Sequence, residues 1–269
     1  MITFERIAHL DEIADWKQAL LQSLVAPLDG YWETAIIARA PHYRILVNGR
    51  AAGYFAADDK KRLLQFYAVE PADPLFDAVI ESEGVETAVA GTNDPAFLSL
   101  CLDRQKAVAV NTYLFHDVYQ VTPDLPAYPK AEFRLSVVDE LEQLLAFYER
   151  NDDFEDSEAI ADSGGQRDFI QSLIANKQSF GLYDGETLLG IGECRISVSQ
   201  PPYADIGMIV DKDHRRRGVG TAVLVRLKAR CYSQNTVPIC SCAAENIASR
   251  KTIEKAGFVA AHRMLDIQF

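Results

Sequence analysis

Residues 203–227, YADIGMIVDKDHRRRGVGTAVLVRL, place the tightest constraint on what this chain can fold into. An apolar run ends at Asp211, three consecutive arginines meet a Gly-Val-Gly turn, and an amphipathic stretch follows at once. That order predicts a strand turning sharply into a helix, with glycine where the backbone bends or approaches a ligand closely. The first amides of a helix have no internal acceptor and lie at the positive end of its dipole. Gly218, Val219, Gly220 and Thr221 therefore form a cradle suited to a pyrophosphate, to which Arg215, Arg216 and Arg217 add charged donors. The simpler reading is a basic turn opening a surface helix.

The cluster is local. With 27 Lys+Arg against 39 Asp+Glu the net charge is −12, so nucleic acid is excluded as a partner and a small phosphorylated molecule suits the arginines better. No apolar run approaches the roughly 20 residues needed to span a bilayer, and MITFERIAHLDEIADW lacks the pattern of a secretory signal. Five cysteines, an odd number without C-x-x-C spacing, fit reduced thiols in the cytoplasm. Cys240 and Cys242 read as buried thiols of a strand, and Cys194 as another. His9, His42, His116, His214 and His262 form no ligand pair, so no metal is expected.

Two halves share one order of elements. Residues 123–131, within a stretch carrying Pro123, Pro126 and Pro129, read as a linker between domains 1–122 and 132–269. After it, a short strand leads to DELEQLLAFYER, apolar at 141, 144, 145 and 148, and then to a second helix around QRDFIQSLIANK. Two β-rich runs flank an Asp184-Gly185 hairpin signal; the strand–turn–helix segment, a strand at PICSCAA, a helix at NIASRKTIEKAG and a closing strand complete the half. The first half runs similarly, with a hairpin at Asn48-Gly49 and Asn93 aligned with Asn246 between a strand and a helix. A tandem duplication accounts for this, although unrelated α/β domains can share such an order.

IGMIVDKDHRRRGVGTAVL, with NIASRKTIEKAGF beginning 26 residues after Gly220, resembles the GCN5-related N-acetyltransferase (GNAT) superfamily. The resemblance covers about residues 132–269 by motif and the first half by topology. It implies an α/β (α+β) fold of tandem GNAT-like domains, each a mixed, mostly antiparallel sheet flanked by helices. It also implies acetyl-CoA as co-substrate, its pyrophosphate in the R-x-x-G-x-G loop and its pantetheine arm along Asn246 and Ser249. Met208, Ile209 and Val210 would offer the strand edge that pairs with pantetheine, and the Val210 amide would steady the oxyanion. An acetyl group would pass directly to a primary amine of a small molecule or peptide within a ternary complex. Asp205, and after it Glu193, are the candidate bases, each with a salt-bridged carboxylate as the alternative. Ile253 stands where many members carry the tyrosine that protonates the thiolate. That departure keeps open a second reading, a non-catalytic acyl-CoA-binding or interaction module.

The acidic stretch ERNDDFEDSEAIAD, residues 149–162, would concentrate a cationic amine at the acceptor side, unless it is a solvated loop. In the first half Glu70, Asp73 and Asp77 occupy the place of the phosphate cradle, so residues 1–122 are expected not to bind CoA. The aromatic cluster Tyr54, Phe55, Phe66 and Tyr67 reads as core packing. A monomer and a homodimer are equally compatible with the sequence.

Overall fold

A computed structural model describes residues 1–69, 72–121, 123, 128, 130–151 and 165–269. Glu70, residues 124–127 and 129 of the expected linker, and the acidic stretch beyond Asn151 lie outside the described residues. The chain forms two compact units, Met1–Leu114 with Ala261–Phe269, and Phe115–Ala260. Among the described residues no helix is long and apolar enough to cross a membrane.

The first unit begins with β1 (Ile2–Arg6), α1 (Ala14–Ser23), β2 (His42–Val47), β3 (Arg50–Ala57) and β4 (Arg62–Ala68). It continues with α2 (Ala72–Glu83), β5 (Thr87–Gly91), α3 (Pro95–Leu102) and β6 (Ala107–His116). Strands β1 to β4 pair antiparallel, while β4 and β5 run parallel because α2 carries the chain back between them. Asn48 and Gly49 both take positive φ, 50° and 78°, as a tight β2–β3 hairpin requires.

The last strand of the chain, β12 (Val259–Gln268 in a chain that ends at Phe269), pairs antiparallel with β5 from Met264↔Gly91 to Gln268↔Thr87. Residues 261–269, assigned from sequence to the second domain, therefore complete the sheet of the first unit. Ile267 and Met264 are the reason: both are buried there, Ile267 with Phe55, Phe66, Phe76 and Phe97, Met264 with Trp32, Leu64 and Val89. The aromatic residues do form core. Phe66 meets Phe76 edge-on at 5.1 Å, and Tyr54 is buried with its hydroxyl donating to Gln65 Oε1 at 2.9 Å.

The second unit repeats the plan with β7 (Glu132–Leu135), α4 (Leu141–Asn151), α5 (Gly165–Ala175), β8 (Ser179–Asp184), β9 (Thr187–Ile196) and β10 (Tyr203–Val210). Then come α6 (Val219–Ser233), β11 (Val237–Ala243) and α7 (Ile247–Lys255). Its strands lie in the order β11-β10-β9-β8-β7, antiparallel except for the β10–β11 pair. Helices α4 and α5 bury Leu144, Phe147, Tyr148 and Ile170 against Tyr183, Leu188 and Ile191. On the other face α6 lies close to β9, since a Cβ at Gly190 would stand 3.1 Å from Val219 Cγ1. These two layers fix the ends of α4 and α6 beside the loop that follows β10.

Candidate active site

Strands β10 and β11 pair only from Tyr203↔Val237 to Asp205↔Ile239 and then part, leaving a cleft along residues 206–210. Asp211 donates its amide to Leu189 O at 3.0 Å, and the Tyr203 carbonyl accepts from Ser197 N at 2.9 Å. Odd-numbered residues of β10 thus turn their peptide groups toward β9, in register with Val210↔Gly190. Met208 and Val210 point theirs the opposite way, into the cleft. Ile209, expected on the same edge, is committed to β9 and packs its side chain against the α4–α5 cluster.

The turn at the cleft mouth has the conformation its glycines foretell. Gly218 is left-handed at φ 85°, and among the described residues Ala222 is the first amide of the helix with an acceptor, Gly218 O at 3.0 Å. The amides of Val219, Gly220 and Thr221 precede it at the positive end of the α6 dipole. A Cβ at Gly220 would stand 2.8 Å from Thr252 Cγ2 and 3.3 Å from Met208 Sδ and Val210 Cγ2. Arg216, with φ 61°, and Arg217 are exposed. Arg215 is not aimed outward with them: its Nη2 donates to Asn151 O at 2.7 Å and its Nε to Val210 O at 3.4 Å.

The carboxylates of β9 and β10 share the sheet face toward α4. Arg195 binds both, Nη2 to Asp205 Oδ2 at 2.7 Å and Nη1 to Glu193 Oε2 at 3.3 Å. Tyr148, from α4, donates its hydroxyl to Glu193 Oε1 at 2.6 Å. Glu193 pairs with Gly207, at the level where β10 has left β11. Among the described residues its Oε2, 4.0 Å away, is the sole atom within 4 Å of where a Gly207 Cβ would stand, so a notch opens beside the carboxylate. Asp205 is one step deeper, where β10 and β11 are still paired.

Helix α7 packs against the start of α6, where Thr252 faces Gly220. Asn246 caps it, its Oδ1 accepting from Ser249 N at 3.0 Å. Ile253 is buried at 3 % exposure, with no hydroxyl to offer a thiolate. Lys228 on α6 is equally buried and holds Asp117 Oδ2 at 2.8 Å, Val121 O at 2.7 Å and Ala256 O at 3.0 Å. It thereby ties α6 to the far end of α7. Cys194 and Cys231 touch at 3.6 Å, buried between β9 and α6, and Cys240 and Cys242 are buried too.

The first unit has the same opening without the room. Its β4 and β5 pair at Arg62↔Thr87 and Leu63↔Ala88 and then part. There Leu28, Trp32 and Ile37 pack against Leu64 and Val89. The remaining cavity, lined by Gln65, Asn93 and Phe97 among others, is about 20 Å³, the space of one water. Asn93 is not the counterpart of Asn246: its Nδ2 donates to Ala26 O and Pro27 O at 3.2 and 3.1 Å, while Asp94 caps α3. Burial pulls the Asp94 carboxyl up. Asp73 and Asp77 pair with Arg104.

Tyr148, Asn151, Arg195 and Lys228 were not singled out from sequence. Tyr148 falls on the apolar stripe of its helix and reads as core, and a lysine inside a helix reads as solvated. Arg195 could have been found by cross-strand pairing, since it lies opposite Asp205.

The two units repeat one α/β plan, and in the second a glycine turn starts a helix beside an unpaired strand edge. Family comparison agrees. Residues 9–118 match the model described as Acetyltransferase (GNAT) domain, and residues 137–258 match Acetyltransferase (GNAT) family. The chain belongs to the GNAT superfamily. It is similar to a solved structure described as an acetyltransferase from the GNAT family of Colwellia psychrerythraea, with 27 % identity, TM-score 0.88 and 99 % of both chains covered. A tandem GNAT protein from the clavulanic acid biosynthesis pathway shares the fold at 12 % identity and TM-score 0.61, covering 100 % of this chain and 98 % of that one. Among curated proteins, the uncharacterized N-acetyltransferase YjdG of Bacillus subtilis (strain 168) is 27 % identical over 108 residues, 39 % of this chain and 61 % of that protein.

Proposed function

We propose that the second unit transfers an acetyl group from acetyl-CoA to a primary amine, by direct attack in a ternary complex. The observation that carries this is the open β10 edge: peptide groups of Met208 and Val210 facing a cleft that ends at the α6 amides. Pantetheine would pair with that edge, and the pyrophosphate would lie on the amides of residues 219–221 with Arg216 and Arg217 beside it. Asn246 and Ser249 border the arm through the start of α7.

The amine nitrogen attacks the thioester carbon, the Val210 N–H stabilises the oxyanion, and the C–S bond breaks to release thiolate. An ammonium of pKa near 10 must first lose its proton, at a cost of about 4 kcal/mol at pH 7. Glu193 takes it; the open space at Gly207 beside its carboxylate supports this reading, and Arg195 and Tyr148 hold its orientation. Asp205 then serves to fix Arg195. The thiolate, with a pKa near 8.5, leaves without a dedicated acid, which suits Ile253 at the position of the usual tyrosine. The first unit does not bind coenzyme, because its own side chains fill the corresponding opening.

A panel of amines with acetyl-CoA, monitored by free thiol, tests the reaction. Glu193→Gln should slow turnover by about 10²–10⁴-fold, and Asp205→Asn by less. Equal or greater loss in Asp205→Asn would move the base to Asp205. Saturable coenzyme binding with no thiol release from any amine would favour the binding-module reading.

A further inference from the structure

Arg215 and Asn151 form a junction that the coenzyme motif does not account for. Asn151 is the last described residue of α4 and is buried at 3 % exposure. Its Nδ2 donates to Phe147 O at 2.7 Å, which fixes the rotamer, and its Oδ1 accepts from Lys212 N at 2.8 Å. Its carbonyl accepts from Arg215 Nη2 at 2.7 Å. Arg150 adds ion pairs to Asp211, at 3.4 Å, and to Asp213. Burial pulls the Asp211 carboxyl up, but the His214 ring, the Asp213 amide and Arg150 together hold it below the usual range. The loop before α6 is thus fastened at one end to α4 at Asn151 and opens at the other into the helix start proposed for pyrophosphate.

Tyr148 lies three residues before Asn151, on nearly the same face of α4 and about 4.5 Å up its axis. It holds Glu193. One rigid turn of helix therefore joins the loop to the carboxylate beside the notch.

We infer that Asn151 is a positioning residue: through Arg215 and Lys212 it couples the coenzyme loop to α4, so that coenzyme binding orders the helix that orients Glu193. The inference rests on coenzyme binding at the α6 start. Arg215, on this account, shapes the loop and leaves the phosphate to Arg216, Arg217 and the backbone.

Hydrogen–deuterium exchange with coenzyme A itself as probe separates the two claims. In the wild-type chain, saturating coenzyme A should slow exchange in residues 215–223 and, about tenfold, in the last turns of α4. In Asn151→Ala at its own saturating concentration, the loop should remain protected and the α4 slowing should disappear. Equal slowing of α4 in both proteins, or none in the wild type despite a protected loop, overturns the coupling. No protection anywhere removes the coenzyme reading itself. Should Asn151→Ala fail to fold or to bind, Arg215→Lys, which keeps the charge and loses the planar fork, makes the same prediction.

Discussion

Gly220→Ala is the sharpest perturbation of the proposed coenzyme site. The added methyl would stand 2.8 Å from Thr252 Cγ2, about 1 Å inside the usual carbon–carbon separation. Thr252 cannot rotate away freely, because its Oγ1 donates to Ala248 O at 2.8 Å. Met208 Sδ and Val210 Cγ2, each at 3.3 Å, close the other side, so the first turn of α6 must move away from α7 and β10. Overpacking of this kind costs about 1–3 kcal/mol, against which alanine returns up to about 1 kcal/mol of helix propensity. The net loss is roughly 0–3 kcal/mol. Coenzyme affinity should suffer more, since a shift of about 1 Å spoils one or two hydrogen bonds to charged oxygen, worth about 1.5–3 kcal/mol each. Urea unfolding and calorimetric titration with coenzyme A measure the two effects separately. A modest fall in midpoint with a rise in Kd of about 10–10⁴-fold is expected. A Kd within twofold of wild type, with the fold intact, would refute the placement of the pyrophosphate at this turn.

Burial takes the His42 imidazole down to about 4, against a weaker upward pull from its bond to Ala40 O at 2.8 Å. Among the described residues its Nε2 has no partner. The folded state therefore excludes a proton that the unfolded chain accepts below about pH 6.5, so stability is full above that value and is lost as pH falls toward 4. Urea midpoints should show roughly 1 kcal/mol lost from this group between pH 7 and 5.5, and His42→Gln should flatten the slope; an unchanged slope would contradict this. Lys228→Met strands Asp117, buried with Oδ1 unpartnered among the described residues, and should cost about 3–5 kcal/mol by denaturant unfolding. Adding Asp117→Asn should recover part of that, and additive losses would show that the pair is not coupled. Ile267→Ala, in β12, should cost about 2–5 kcal/mol and expose the first unit to proteolysis.

The elements that could be read from sequence are those with local causes. Asn48-Gly49 and Gly185 take the conformations their hairpins need, and the R-x-x-G-x-G turn forms between a strand and a helix as its glycines imply. Properties that depend on distant pairing were hidden. Nothing local in residues 261–269 says which sheet the strand joins; the choice is made by Ile267 and Met264 finding cores built by residues 28–114. Arg215 looked like a phosphate ligand because a basic residue in a glycine turn has no visible rival, and the rival is the carbonyl of Asn151, 64 residues earlier. The Glu193–Arg195–Asp205 cluster was half legible: the carboxylates were marked, while the arginine between them emerges only once β9 and β10 are in register.

Calorimetric titration of the intact chain with coenzyme A is the most direct test of the central claim. One saturable site per chain is expected, eliminated by Gly220→Glu, because among the described residues only the second unit keeps its strands open beside a helix start. No uptake, or two equivalent sites, would contradict the account.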